Sequence, residues 1–196
     1  ERSRGLGDVY KRQFIAKAQK MGYLVVCHTV TCGAYEIADN FDWDLLTKKK
    51  GENGDLVPYL RDHYKKDGLN GGDPWHLCAK TAYENYAVKD FPKVRGYGFY
   101  GLHYNDELTA IIPEKCYDPN HPVSRKEAWE YHRKVAQLSK DLFGGYQSEG
   151  YMDYMNADVD AVLYIGVQSK LTHEQNPLFD AVSYTHLRAH ETSLHL

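Results

Sequence analysis

The chain has 196 residues, with 24 Lys+Arg against 27 Asp+Glu and a formal net charge of -3. That length suits one ordinary domain or part of a larger one, and the mild acidity argues against a surface built to bind a nucleic-acid backbone. A content of 42% hydrophobic and 13% aromatic residues excludes a generic disordered chain, and no apolar run approaches the ~18–20 residues of a membrane-spanning helix.

Residues 1–13 (ERSRGLGDVYKRQ) carry four basic residues and no apolar period. They and residues 181–196 (AVSYTHLRAHETSLHL) resemble translated sequencing-adapter scars at the ends of metagenomic gene fragments, carried by the strings GDVYKRQ and SYTHLRAHET. Both tails are therefore set aside from fold reasoning, which leaves 14–180 as the natural segment and makes its compartment undetermined. Phe14, Ile15, Ala18 and Met21 fall at helical spacing, with Gly22 as a C-terminal cap. Tyr23 to Val30 is a nearly continuous apolar and β-branched run, which predicts a strand buried on both faces as in a parallel sheet. Residues 31–75 hold many glycines and no clear period, and a connection this long is usually functional or carries an insertion. A helix is expected over 78–94, ended or kinked by Pro92, followed by a strand over Phe99 to Tyr104.

The clearest helix follows. Ser124 stands three residues before Glu127 in a capping-box pattern, Ala128, Tyr131, Val135, Leu138 and Leu142 form the apolar stripe, and Gly144-Gly145 closes it. Short strands are expected at about 145–148 and over Val159 to Ile165. The alternation of strand and helix with buried-type strands reads as a parallel α/β fold. The turn after Val30, Thr-Cys-Gly-Ala-Tyr, lacks the glycine fingerprint of a dinucleotide-binding sheet. His28, Asp106 and Glu149 stand at strand ends, so the favoured architecture is a partial (β/α)8 TIM-type barrel, incomplete because such barrels run to ~250 residues. The four cysteines, Cys27, Cys32, Cys78 and Cys116, make no CxxC pair and no zinc-ligand spacing, and read as buried free thiols.

Three strings offer chemistry. In Gly101-Leu-His-Tyr-Asn-Asp-Glu-Leu-Thr109, an acid just past an apolar strand points into a barrel mouth. Asp106 and Glu107 both qualify, but neighbours on an extended chain face opposite ways, so only one belongs there. In Cys116-Tyr-Asp-Pro-Asn-His-Pro122, two X-Pro turns would hold Asp118 or His121 over a pocket, or simply lead into the next helix. In Gln147-Ser-Glu-Gly-Tyr-Met-Asp153, Glu149 ends a strand, with Asp153 four residues on. One βα unit separates Asp106 from Glu149, so the two should stand at the tops of adjacent strands, ~4.8 Å apart. That approaches the ~5–5.5 Å carboxylate separation of a retaining glycosidase, in which one carboxylate attacks and the other donates and later removes a proton. Trp43, Trp75, Tyr100, Tyr104, Tyr117, Tyr151 and Tyr154 supply flat apolar surfaces for sugar rings.

The run GLHYNDEL…CYDPNHPVSRKEA…FGGYQSEGYMDY resembles bacterial glycoside hydrolases of the endo-α-N-acetylgalactosaminidase-like group, over roughly residues 22–180. The resemblance implies a (β/α)8 catalytic barrel and a retaining mechanism on α-linked glycans, N-acetylgalactosaminides among them. Asp106 would be the nucleophile and Glu149 the acid/base, with His28, His103, Tyr104, Asp118, His121, Asp153 and Trp75 around the substrate. No cofactor or metal is expected, the partner is a glycan, and further domains would belong to the full-length chain. Two other functions fit the same residues: a non-catalytic carbohydrate-binding module, and a metal-dependent barrel hydrolase using His28, His103, Asp106 and His121.

Overall fold

A computed structural model describes residues 2–51, 54–59, 74–150 and 152–163. Helix α1 (Arg2–Lys20) precedes strand β1 (Cys27–Val30), and an excursion follows, with β2 (Gly33–Tyr35), a 3-10 turn at Trp43–Leu45 and β3 (Pro74–His76). Then come α2 (Ala79–Thr81), a π-helical stretch (Ala82–Ala87) and α3 (Val88–Arg95), which run on as one helix. Strand β4 (His103–Asp106), α4 (Arg125–Phe143), β5 (Tyr146–Ser148), a 3-10 turn (Asp153–Met155) and β6 (Ala161–Val162) complete the described chain.

Four strands form one parallel sheet in the order β1-β4-β5-β6. Strands β2 and β3 pair antiparallel in a separate two-stranded ribbon, extended by bridges between Leu46 and Leu77 and between Pro58 and Trp75. The described part of the irregular run after β1 thus forms a ribbon that packs on a small core, Leu46, Leu77 and Ala82. The main core lies between the sheet and helices α3 and α4, where Phe91, Val135, Ala136, Phe143 and Tyr146 are almost wholly buried. Each large side chain removed from water there contributes roughly 1.5–3 kcal/mol. No closed barrel is formed by the described residues.

Helix α4 forms where its sequence calls for it. Ser124 accepts from the Glu127 backbone N–H at 3.2 Å, and Glu127 Oε2 accepts from the Ser124 N–H at 2.8 Å. These two bonds satisfy donors that a bare helix start leaves unpaired. At the other end Gly144 adopts φ 96°, a left-handed conformation open to residues without a Cβ.

Two expectations change, and a third is decided in part. Pro92, expected to end or kink its helix, does not end it: the helix runs to Arg95, against an expected 94. A proline ring would press on the Val88 carbonyl in a regular ladder, and the wide π-helical stretch ends at Ala87, immediately before that residue. The strand expected over Phe99 to Tyr104 starts later, at His103. Gly98 and Gly101 both have positive φ and turn the Phe-Tyr-Gly segment aside, leaving Tyr100 exposed. Strand β1 is not buried on both faces: Cys27 is buried, Thr29 half-buried, and His28 and Val30 exposed. Helices cover one face of the sheet among the described residues, and the other face carries the polar strand ends. Residues 2–13 are helical together with 14–20. The strand expected over Val159 to Ile165 is realised at Ala161–Val162. Its last residues and the 181–196 tail lie outside the described residues.

Candidate active site

The register of the parallel sheet places two acids side by side. Asn105 pairs with Ser148, so the next residue on each strand, Asp106 and Glu149, stands at the same level on adjacent strands. Alternation along β4 sends His103 and Asn105 to the helix-covered side and Tyr104 and Asp106 to the open side. On β1, His28 is registered against Tyr104 and stacks on it, with ring centroids 5.1 Å apart and planes 24° apart. Tyr104 donates its hydroxyl to Asp106 Oδ1 at 2.6 Å, and His28 Nε2 lies 3.4 Å from Asp106 Oδ2. Both oxygens of Asp106 therefore have a partner that fixes the carboxyl plane.

Glu149 is the partner acid. Burial raises its pKa first, and the charge of Asp106, a hydrogen bond to it and the charge of Glu107 raise it further, to about 7. Like charges held close cannot both ionise freely, so one carboxyl keeps a proton near neutrality. Burial, then the hydrogen bond and charge of Asp106, and finally the charge of Glu149 push the Tyr104 phenol upward, keeping it a donor.

Two further residues shape this end of the sheet: Glu107, the alternative acid of the sequence reading, and Thr109, which that reading missed. Glu107 has φ 59°, the left-handed region, so the simple alternation past Asp106 fails and its charge is felt at Glu149. Its own carboxyl is pushed up by burial. Thr109 is wholly buried and clamps the end of β5: its hydroxyl is 3.0 Å from the Glu149 carbonyl and 2.9 Å from that of Gly150. Its backbone N–H donates to Ser148 Oγ at 3.3 Å. A threonine three residues past a strand-end acid carries no signal in sequence, because its partners belong to the next βα unit.

The other expected site residues stand elsewhere. His103 is fully buried on the helix side, against Phe91 and Phe143, with Nε2 at 2.9 Å from Thr29 Oγ1 and Nδ1 at 2.9 Å from Ser139 Oγ. Burial lowers its pKa to about 4, so it is neutral and structural. Asp118 is fully buried and paired with Lys48 at 2.5 Å. His121 is buried with Nε2 donating to the Asp44 carbonyl at 2.7 Å. Asp153 is exposed in a 3-10 turn. Trp75 lies in the β2–β3 ribbon, where its Nε1 donates to Glu36 at 2.8 Å and its ring meets Trp43 at 5.8 Å. The structure thus gathers His28, Tyr104, Asp106 and Glu149. It does not gather the His28, His103, Asp106 and His121 set of a metal-dependent hydrolase, because His103 lies beneath the sheet and His121 belongs to the Cys116–Val123 loop.

The sequence matches no protein-family profile, and no curated protein matches it. Solved structures are. The ligand-free α-N-acetylgalactosaminidase NagBb from Bifidobacterium bifidum superposes with a TM-score of 0.68 at 20% identity, over 85% of this chain and 26% of that one. Its Gal-NHAc-DNJ complex gives 0.66 at 21% identity, over 78% of this chain and 23% of that one. The α-galactosidase TtGalA from Thermus thermophilus, in complex with stachyose, gives 0.52 at 13% identity, over 78% of this chain and 30% of that one. The fold is α/β with a parallel sheet, similar to part of these TIM-barrel enzymes. At these identities the likeness concerns the fold alone, and the chain spans about a quarter of the NagBb length.

Proposed function

We propose that the chain is part of a retaining glycoside hydrolase acting on α-linked glycans, with N-acetylgalactosaminides as the leading substrate class. The observation that carries this reading is the pairing of Asp106, doubly held by Tyr104 and His28, with Glu149, whose pKa is raised to about 7. The barrel likeness to enzymes solved with sugars and sugar analogues supports it.

In the proposed reaction an Asp106 oxygen attacks the anomeric carbon as the bond to the leaving oxygen breaks. Glu149 gives its proton to that oxygen. Glu149, now ionised, then takes a proton from water, the hydroxide forms the new bond to the anomeric carbon, and Asp106 is released as carboxylate. Tyr104 and His28 hold Asp106 in its attacking orientation. Acids at the same level on adjacent strands, whose backbones run ~4.8 Å apart, favour retention over inversion, which needs ~6.5–9.5 Å to admit a water between the carboxyls. The remainder of the proposal is that residues 14–180 are the native part of the chain.

The test uses the intact gene product with Asp106→Ala and Glu149→Gln. Asp106→Ala should bind an α-N-acetylgalactosaminide yet lose turnover by at least about 10³-fold, and added azide should restore cleavage of an activated substrate in Glu149→Gln with retained anomeric configuration. Full turnover in Asp106→Ala would overturn the assignment, and would favour a sugar-binding role for the same aromatics.

A further inference from the structure

We propose that Cys78, Cys116 and His121 form a binding site for a zinc-class divalent ion, joining the start of the α2–α3 helix to the Cys116–Val123 loop. Cys78 lies far in sequence from Cys116 and His121, which share one loop. Cys78 is the N-cap of α2, Cys116 is bridged antiparallel to Val123, and His121 sits within the loop between them. All three are buried, and their donor atoms all lie within 4.8 Å of one another. Tetrahedral zinc with Zn–S of about 2.3 Å and Zn–N of about 2.0 Å spaces its ligand atoms by roughly 3.5–4 Å. The Cys116 Sγ to His121 Nδ1 distance is 3.4 Å, and the two sulfurs lie within 4.8 Å of each other.

The histidine is set for ligation. The Asp44 carbonyl can only accept, so the 2.7 Å contact puts the ring proton on Nε2 and leaves the Nδ1 lone pair facing the sulfurs. A backbone carbonyl on the far ring nitrogen is the usual outer partner of a metal-bound histidine. Two thiols and an imidazole are soft or borderline donors, which select zinc-like ions over magnesium or calcium. The described residues supply three donors, so a water or other donor completes the tetrahedron. The site has a structural reason to exist. Cys78, Cys116, Val123 and Ala128 form a separate core of small residues, and a cross-link adds stability where little apolar surface is buried. The absence of a CxxC in the sequence concealed it: only the Cys116-x4-His121 pair is local, and Cys78 arrives from the preceding helix.

The site is independent of the proposed hydrolase reading, since none of its residues belongs to the Asp106–Glu149 group. The test uses the full 196-residue chain, reduced and stripped of metal, then titrated with Co²⁺ as the probe. One equivalent should bind, with thiolate-to-cobalt charge-transfer absorption that Zn²⁺ abolishes, and Zn²⁺ should raise the unfolding temperature. Cys78→Ser and Cys116→Ser should lose the band, while Cys27→Ser keeps it. Because buried serines risk misfolding, X-ray absorption on the zinc-loaded wild-type chain gives a second reading, with two sulfur scatterers expected. A sulfur-free shell, which would place the ion on other histidines, overturns the proposal. So does failure to bind, or a band that survives both serine substitutions.

Discussion

Replacing Asp106 by Asn tests the electrostatics of the candidate site directly. The substitution keeps the volume and a hydrogen-bonding oxygen but removes the charge that faces Glu149. Burial is the largest cause of the raised Glu149 pKa, with the Asp106 charge next and its hydrogen bond third. The value should therefore fall only part of the way from about 7 toward its ordinary 4.5. A fall of about one unit is expected, which corresponds to about 1.4 kcal/mol less destabilisation of the ionised form. The assay is a carbon-detected NMR titration of the Glu149 side-chain carboxyl in both proteins. An unchanged or higher pKa in Asp106→Asn would refute the reasoning, since it would mean the two carboxyl groups do not sense each other. The same shift has a stability consequence. A carboxyl raised in the folded state binds more protons there than in the unfolded chain, so stability falls as pH rises from about 4.5 through about 7. At this partly exposed site, solvent screening reduces the effect to on the order of 1 kcal/mol, and Glu149→Gln should abolish it.

The buried imidazoles act in the opposite sense. His103 and His132 are both lowered to about 4, mainly by burial. The unfolded chain therefore binds more protons between pH 6.5 and 4, and the guanidinium midpoint should drop as pH falls through that window; a flat profile would contradict their burial. Phe143→Ala removes a wholly buried ring that meets Phe91 and His103, and should cost about 3–5 kcal/mol in denaturant unfolding. Glu107→Gly releases a left-handed residue at φ 59°. Relief of a left-handed cost of roughly 1–2 kcal/mol, partly offset by the greater freedom of glycine in the unfolded chain, should leave the chain about 0.5–1 kcal/mol more stable, and removal of a like charge should lower the Glu149 pKa; both are measurable on one sample.

The alternation of strands and helices was legible because parallel strands and capped helices carry local signatures. Ser124, Glu127 and Gly144 do in the structure what their spacing indicated. The adjacency of Asp106 and Glu149 was legible for the same reason, since a single βα unit leaves little freedom in where its two strand ends meet. What could not be read was set by residues distant in sequence. His103 looked like a pocket residue until Thr29 and Ser139 claimed its two nitrogens. Asp118 looked like a pocket acid, but Lys48 from the insertion after β1 neutralises it. The extent of β4 depended on two positive-φ glycines whose direction of turn no periodicity encodes. The one-sided burial of β1 depended on which face the helices cover, which an apolar run does not specify.

The hydrogen bonds around His103 join three elements: Thr29 on β1, the imidazole on β4, and Ser139 on α4, whose hydroxyl also reaches the Val135 carbonyl at 3.0 Å. Sliding of α4 along its axis would break this bolt. Tyr104 and Asp106 share the backbone of that bolted strand, so the aim of an acid on the open side is tied to a hydroxyl on the hidden side. On the proposed function, a Ser139 variant with impaired turnover would then report on alignment, because its side chain lies on the helix side of the sheet.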